Sequence, residues 1–281
     1  MRSLPLPPIT FSDVLALCIS GIADASLSAR LNSISPTLNT SAETYGTLAT
    51  SEQLHLVPRI LSVGAVTKEE LVNLYSDHLS ATKGAARAVY DQIRNAAPNK
   101  KCPLCGVGTV GALDHHLPKS RYPDLSITPA NLVPACHYCN DTKKAKFPKN
   151  AGEQTLHPYF DHRLIEMQWL GAVVDRGPPA TLVFRAEPPS IWPAVDQQRV
   201  KRHVAACGLA VLYASNANDE LPILKPTLAG LYDRGGPVPV QEHLEGERDR
   251  YRVRPNSWQF AMYDALSSDD WFVDEGFRNI A

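Results

Sequence analysis

Two Cys-x-x-Cys pairs constrain this chain more than any other feature of its sequence. Cys102 and Cys105 form the first pair, and Cys136 and Cys139 form the second. Each pair places two thiols on one tight turn, and two such turns close a tetrahedral four-cysteine zinc site without an open position. We therefore expect a structural zinc ion. The 30 residues between the pairs exceed the roughly 15 to 20 of a common zinc ribbon, so a further fold must lie inside the zinc clasp.

Disulfide bonds are the alternative use of these four cysteines. The first eight residues contain one arginine and no apolar segment, so they do not resemble a secretory signal. Reduced cysteines at this spacing favour a metal, and we expect a cytoplasmic protein. The other two cysteines, Cys18 and Cys207, lie in apolar helical patterns and are predicted to be core residues. No apolar run approaches the roughly 18 residues that a membrane span needs.

The residues inside the clasp predict two short strands joined by a loop, followed by a helix. The first strand contains Asp114-His115-His116, and the second leads from Asn131 towards Cys136. Residues 137–146 lack Gly and Pro, which favours a helix.

This arrangement resembles the HNH endonucleases, whose nuclease module has a ββα-metal fold, and specifically the branch buttressed by a zinc ion on four cysteines. The resemblance covers residues 102–144. It lies in the Asp-His pair at 114–115, the Asn-Leu pair at 131–132 and the Cys-x-x-Cys-Asn-x-x-Lys ending at 136–143. It implies an enzyme that hydrolyses phosphodiester bonds with the help of a divalent ion.

The resemblance also assigns roles to individual residues. Asp114 and Asn140 would hold one Mg²⁺ or Mn²⁺ ion, for which oxygen donors are suitable ligands. His115 would be the general base, because an imidazole titrates near neutral pH. Asn131 would hold loop carbonyls that orient His115. Adjacent strand residues point to opposite sides, so we expect a twist or bulge that lets both Asp114 and His115 reach one phosphate.

Two other histidines of the segment are interpreted as bystanders. These are His116 and His137. An alternative remains for His116, which could replace Asp114 as a metal ligand if the strand were rotated by one residue.

Basic residues are concentrated around the motif. The segment from Lys83 to Lys149 contains eleven basic and four acidic residues, whereas the rest of the chain has 17 basic and 25 acidic ones. A basic centre between acidic flanks suits binding to a phosphate backbone. Candidate phosphate contacts are Lys119 and Arg121 on the connecting loop and Lys143 on the helix.

The flanking sequence predicts an α+β protein in three parts. These are a helical N-terminal region (1–97), the nuclease module with its zinc clasp (98–162) and a C-terminal α+β accessory region (163–281). Thr67 to Glu70 is a predicted capping box, and the Ser- and Thr-rich segment from Ser33 to Ser51 is a predicted loop. The extension around Asp161 and His162 is expected to pack against the module. Residues 168–175 and 180–187 predict a hairpin.

Two functional classes fit these patterns. Stand-alone bacterial HNH proteins of this size resemble the nuclease halves of two-component phage-defence pairs of the Septu type, which implies a DNA-cutting effector with an ATPase partner. RNA as the substrate and an oligomeric state stay open. The alternative is a non-catalytic adaptor that binds nucleic acid or protein and keeps the zinc fold for stability. The presence of Asp114, His115 and Asn140 together argues against the adaptor, because a scaffold needs only the cysteines.

Overall fold

A computed structural model describes all of residues 1–281. The chain forms two compact units, Met1–His162 and Arg163–Ala281. The fold is α+β, with many helices and two separate two-stranded sheets. The predicted accessory region begins where the second unit begins. By contrast, the predicted boundary at residue 97 does not separate two compact units, because the N-terminal helices and the clasped segment lie in one unit.

The first unit contains helices on either side of one short hairpin in the sequence. Its elements are α1 (Phe11–Ser20), α2 (Ala25–Thr50), α3 (Lys68–Asn73), α4 (Arg87–Asn95), β1 (Ala112–His115), β2 (Leu132–Ala135) and α5 (His137–Lys143). A π-helical segment, Leu74–Leu79, continues directly from α3. The predicted capping box is confirmed, because the Thr67 side chain accepts from the Glu70 backbone and the Glu70 side chain accepts from the Thr67 backbone.

A single apolar cluster joins the N-terminal helices to the hairpin. Leu31 of α2, Ile93 of α4 and Leu71 of α3 belong to the same buried cluster as Leu113 of β1 and Leu132 of β2. Burial of such side chains stabilises a fold by roughly 1.5–3 kcal/mol each. The helices therefore support the hairpin directly.

The prediction of a loop between Ser33 and Ser51 is wrong, since α2 runs through this segment to Thr50. Buried residues recur at helical spacing along it; they are Leu31, Ile34, Leu38, Tyr45 and Ala49. The hydroxyl groups that suggested a loop bond back to the helix, as when Thr47 Oγ1 donates to the Glu43 carbonyl oxygen four residues earlier. Tertiary burial therefore outweighs the low helix propensity of Ser and Thr.

The strands β1 and β2 pair antiparallel in a regular register. Asp114 lies opposite Val133, and His115 lies opposite Leu132 at the end of the ladder. We expected a twist or a bulge here. The ladder contains no bulge, so the side chains of Asp114 and His115 leave β1 on opposite faces.

The second unit contains the hairpin and helices that follow. Its elements, starting at the unit boundary, are α6 (His162–Glu166), β3 (Leu170–Asp175), β4 (Thr181–Ala186), α7 (Ala194–Ala206), α8 (Leu209–Gly235), α9 (Pro237–Arg250), α10 (Trp258–Ser268) and α11 (Asp270–Val273). The predicted hairpin is confirmed by the antiparallel pairing of β3 with β4. None of the helices combines the length and apolar character needed to span a bilayer.

Candidate active site and metal centre

The first Cys-x-x-Cys pair sits on a turn closed by backbone hydrogen bonds. The Gly106 N–H donates to the Cys102 carbonyl oxygen at 2.7 Å, and the Cys102 N–H donates to that of Gly108 at 2.8 Å. Gly106 has a φ of 73°, a conformation that side chains resist. A Cβ on Gly108 would lie only 2.7 Å from the Cys136 Sγ. Glycine at 108 thus lets the two cysteine turns approach each other.

The second pair begins helix α5. Cys136 is the N-cap residue, and its Sγ accepts from the Cys139 N–H at 3.5 Å. Hydrogen bonds from the Cys102 thiol, first of all, and from Cys139 lower the pKa of Cys136. A helix N-terminus also favours negative charge. Both effects favour the deprotonated form of the Cys136 thiol, although a hydrogen bond with Cys105 opposes them.

All four cysteines are buried and free, and their Sγ atoms lie within 4.8 Å of one another. The Cys105 and Cys136 Sγ atoms are 3.8 Å apart. Ligands about 2.3 Å from a tetrahedral zinc ion would be separated by about 3.8 Å, whereas disulfide sulfurs are about 2 Å apart. The cluster could therefore hold a metal ion such as zinc.

His115 is held in one tautomer by its surroundings. Its Nε2 lies 2.8 Å from the Ser126 carbonyl oxygen. Since a carbonyl oxygen only accepts, Nε2 carries the proton and Nδ1 keeps its lone pair. The Tyr75 ring packs edge-on against the imidazole, with centroids 4.4 Å apart. Burial lowers the pKa of His115 to about 3, so the ring is neutral at pH 7.

Asn131 holds the loop that follows β1. Its Oδ1 accepts from the Leu117 N–H at 2.7 Å, and its Nδ2 donates to the carbonyl oxygens of Leu117 at 3.0 Å and Leu125 at 3.3 Å. The side chain is fully buried. The carboxamide thus fixes both ends of the loop that contains Ser126, the partner of His115, at Leu117 and Leu125.

A buried ion pair joins β1 to α5. The Lys143 Nζ lies 2.9 Å from the Asp114 Oδ2 and donates to the His115 carbonyl oxygen at 2.7 Å. Burial raises the pKa of Asp114, although the attraction of Lys143 opposes this shift. Lys143 was predicted to contact phosphate from a helix surface, but the ammonium is buried and its partners are internal. The structure instead makes it the counter-ion of Asp114.

Asn140 lies three residues before Lys143 on α5. Residues three apart lie on the same face of a helix. Asn140 therefore shares the face from which Lys143 reaches Asp114 of β1. Asn140 is half-buried, and it lies on the side of α5 that faces β1.

The two predicted loop cations have different settings. The Lys119 Nζ lies 4.3 Å from the centroid of the Tyr75 ring and donates to the Ser76 Oγ at 3.3 Å. Because Tyr75 also contacts His115, Lys119 is close to the imidazole. Burial lowers the pKa of Lys119. Arg121 is exposed and lies over the ring of Phe147.

A buried aromatic network behind β1 was not predicted from sequence. The imidazole rings of His116 and His157 have centroids 4.1 Å apart, and the His157 Nε2 lies 3.0 Å from the Tyr45 hydroxyl of α2. The Tyr159 hydroxyl donates to the Leu132 carbonyl oxygen of β2. The extension after α5 thus packs against the hairpin, as expected. In the sequence, the helical spacing of Leu38, Tyr45 and Ala49 is the feature that could have predicted that Tyr45 is buried.

Comparison with known proteins gives one relative over nearly the whole chain. The chain is similar to Protein ea31 of Escherichia phage lambda, with 29% identity over 294 aligned positions that cover 97% of this chain and 99% of that protein. The similarity therefore runs through both compact units. No protein-family model matches the chain. No solved structure matches it either.

Replacing a clasp cysteine should release the metal and unfold the first unit. For Cys136→Ser we expect loss of bound zinc and of cooperative unfolding, because zinc binding contributes on the order of 10 kcal/mol to the folding of small sites. Zinc content by mass spectrometry and thermal unfolding by circular dichroism measure both effects. Cys207→Ser, a buried cysteine of the second unit, is the control and should keep its zinc. A zinc-free Cys136→Ser protein that folds normally would contradict the metal centre.

Asn131→Asp should destabilise the loop while leaving the metal centre occupied. The carboxylate still accepts from Leu117, but it cannot donate to the two carbonyl oxygens, and each buried unsatisfied group costs roughly 1–3 kcal/mol. We expect a loss of about 2–5 kcal/mol in the free energy of unfolding in urea. Unchanged stability at pH 7 would show that these hydrogen bonds do not hold the loop.

Asp124 lies in the loop between β1 and β2. Because of this residue, the free energy of unfolding should decrease as the pH rises. Burial raises the pKa of this carboxyl from 3.8 to about 6 in the folded state. The folded state therefore binds the proton more tightly than the unfolded state. The resulting stabilisation is present below pH 4 and is lost as the pH rises through 6, a total of about 3 kcal/mol.

Asp124→Asn should accordingly raise the free energy of unfolding more at pH 7.5 than at pH 5. The amide carries no charge at either pH, so it escapes the cost of burying a carboxylate. Asp141→Asn, at an exposed position of α5, is the matched control and should show no such difference between the two pH values. Equal effects of Asp124→Asn at both pH values would exclude the raised pKa.

Proposed function

We propose that this chain is a metal-dependent endonuclease of the HNH type that hydrolyses phosphodiester bonds in DNA, with zinc as a structural ion in the four-cysteine cluster. The orientation of His115 is the observation that supports this most strongly. Its Nε2–H donates to the Ser126 carbonyl oxygen, so the lone pair on Nδ1 can accept a proton. A neutral imidazole in a fixed tautomer presents an unprotonated nitrogen to the attacking water. The near-neutral pKa expected from the sequence is wrong for this site, because burial lowers the pKa of His115 to about 3 and makes it a weaker base than a free imidazole.

His115 would take a proton from the attacking water at Nδ1. The imidazolium formed in this step keeps its hydrogen bond to Ser126, and a carbonyl oxygen stabilises the positive charge. Asn131 acts through the loop and not on the substrate, since its three hydrogen bonds keep the Ser126 segment in place. His115 is the last paired residue of β1, so a phosphate at that end of the strand can be reached from both faces.

Asp114 and Asn140 are the residues that would hold a Mg²⁺ or Mn²⁺ ion. Their oxygen atoms are the donors that such hard ions prefer, and the contact of Lys143 with Asp114 brings the α5 face towards β1. The ion would neutralise the charge that develops on the phosphate during attack. Lys143 would balance the second oxygen of Asp114, so a carboxylate that burial disfavours keeps its charge.

We infer the biological setting from the same resemblance and from the distribution of charge. Basic residues cluster around the module, which supports a nucleic-acid substrate, whereas the flanks are acidic and suit docking to a partner protein. An antiviral defence effector controlled by an ATPase partner, as in Septu-type pairs, accounts for both features.

Cleavage of supercoiled plasmid with Mg²⁺ or Mn²⁺ tests the proposal through His115→Gln. The glutamine amide can still donate to the Ser126 carbonyl oxygen, but it has no basic nitrogen. We expect cleavage to fall roughly 10²- to 10⁴-fold at matched zinc content, the usual contribution of a general base. His137→Gln, at an exposed position of α5, is the matched control and should cut like the wild type.

The partner is tested in the same assay by adding the products of neighbouring genes. Cutting that appears only with a partner, and is lost in His115→Gln, supports a nuclease that the partner activates. Cutting that survives in His115→Gln contradicts the assigned base. No cutting under any condition favours the zinc-stabilised adaptor.

A further inference from the structure

Two arginines from distant parts of the first unit meet on one aromatic ring. The guanidinium carbons of Arg59 and Arg121 lie 5.1 Å and 5.8 Å from the centroid of the Phe147 ring. Arg59 belongs to the connection between α2 and α3, Arg121 to the connection between β1 and β2, and Phe147 to the segment after α5. Three separate segments thus build one surface, which we call the Arg–Phe surface.

The ring of this surface is anchored in the core. Phe147 packs edge-on against Tyr122, with ring centroids 6.0 Å apart. The half-buried Phe147 ring also packs against the buried apolar cluster that contains Tyr122, Leu117 and Leu125. Tyr122 is buried, whereas both arginines are exposed. A fixed ring beneath two guanidinium groups limits their motion, and preorganised groups lose less entropy when they bind a ligand.

Neither arginine of the surface has a carboxylate partner within 4.0 Å. Exposed arginines elsewhere in the chain do have one, for example Arg250 with Glu247, Arg252 with Asp249 and Arg278 with Asp233. Two unpaired like charges on one ring repel each other, and an anion between or beside them relieves that repulsion. The planar fork of a guanidinium matches the oxygens of a phosphate group.

The position of the surface links it to the candidate active site. Leu117, in the same apolar cluster, is the residue whose backbone Asn131 holds. Arg121 lies in the same loop, between Leu117 and Ser126, the partner of His115. A phosphate on the Arg–Phe surface would therefore lie on the loop that positions His115.

We propose that Arg59, Arg121 and Phe147 form a phosphate-binding surface that holds the backbone of a nucleic acid beside the candidate active site. The ring is in contact with two guanidinium groups, so it supports them and does not stack a base. Recognition at this surface is accordingly of phosphate and not of sequence. This assignment rests on the proposed function only for the statement that the bound strand is the one to be cut.

Binding of fluorescein-labelled duplex DNA, followed by anisotropy across a range of salt concentrations, tests the surface. The parent protein is the zinc-loaded full chain with His115→Gln, so that the DNA is not cut. Arg59→Ala and Arg121→Ala should each weaken binding roughly 5-fold. Each should also lower the slope of log affinity against log salt by about 1, and should do so for duplexes of unrelated sequence.

Two further variants separate the parts of the surface. Phe147→Leu keeps both charges and an apolar side chain but removes the ring, and it should weaken binding by a smaller factor than either arginine variant. Arg176→Ala is the matched control, because Arg176 also lies over a ring, that of Trp271, but is paired with Asp269. It should bind DNA like the parent. An RNA duplex of the same sequence shows whether the surface also accepts that backbone.

The outcomes distinguish this proposal from the nuclease proposal. An Arg59→Ala/Arg121→Ala double variant that is folded and binds with the parent's affinity and salt slope overturns the surface, as does a parent protein that binds no nucleic acid. Parental DNA binding that is lost in the double variant supports the surface, even where the wild type fails to cut plasmid under every condition. That failure would overturn the nuclease alone.

Discussion

The approach of four cysteine thiols to one another is the constraint on which the rest of the first unit depends. It brings together two turns that are separated by 30 residues in the sequence, and the hairpin of β1 and β2 with its loop lies between them. Closing a loop of this length costs conformational entropy that two strands of four residues cannot offset by pairing alone. The helical platform packed against the hairpin supplies part of the missing stabilisation, and a metal ion at the thiols would supply more.

Burial then determines the chemistry of the charged groups on this hairpin. His115 and Asp114 are adjacent in sequence, but their side chains have different partners, a backbone carbonyl for the imidazole and the Lys143 ammonium for the carboxylate. Desolvation lowers the pKa of His115 and keeps the imidazole neutral. It raises the pKa of Asp114, and the attraction of the Lys143 ammonium opposes that rise. Two neighbouring residues thereby acquire opposite characters, one a neutral base and the other a paired anion.

Local pattern was sufficient to predict much of this structure. The spacing of the cysteines predicted the cluster, strand-like segments joined by loop residues predicted both hairpins, and Thr67 with Glu70 predicted a helix start. The interior of α2 was mispredicted because its Ser and Thr hydroxyls suggest a loop until the burial of Tyr45 and its neighbours is known. The roles of Lys143 and Arg59 depend on contacts across the fold. A lysine that follows an asparagine on a helix looks like a surface cation, and nothing near Arg59 in the sequence points to Phe147.

One detail of the cluster has a consequence for regulation. Cys136 is a cluster thiol and also the N-cap of α5, the helix that carries Asn140 and Lys143. Oxidation of this sulfur would weaken it as the acceptor for the Cys139 N–H, and so loosen the start of the helix whose Lys143 is the counter-ion of Asp114. The chemical state of one cluster sulfur is therefore coupled to the charge on β1 through the start of a single short helix.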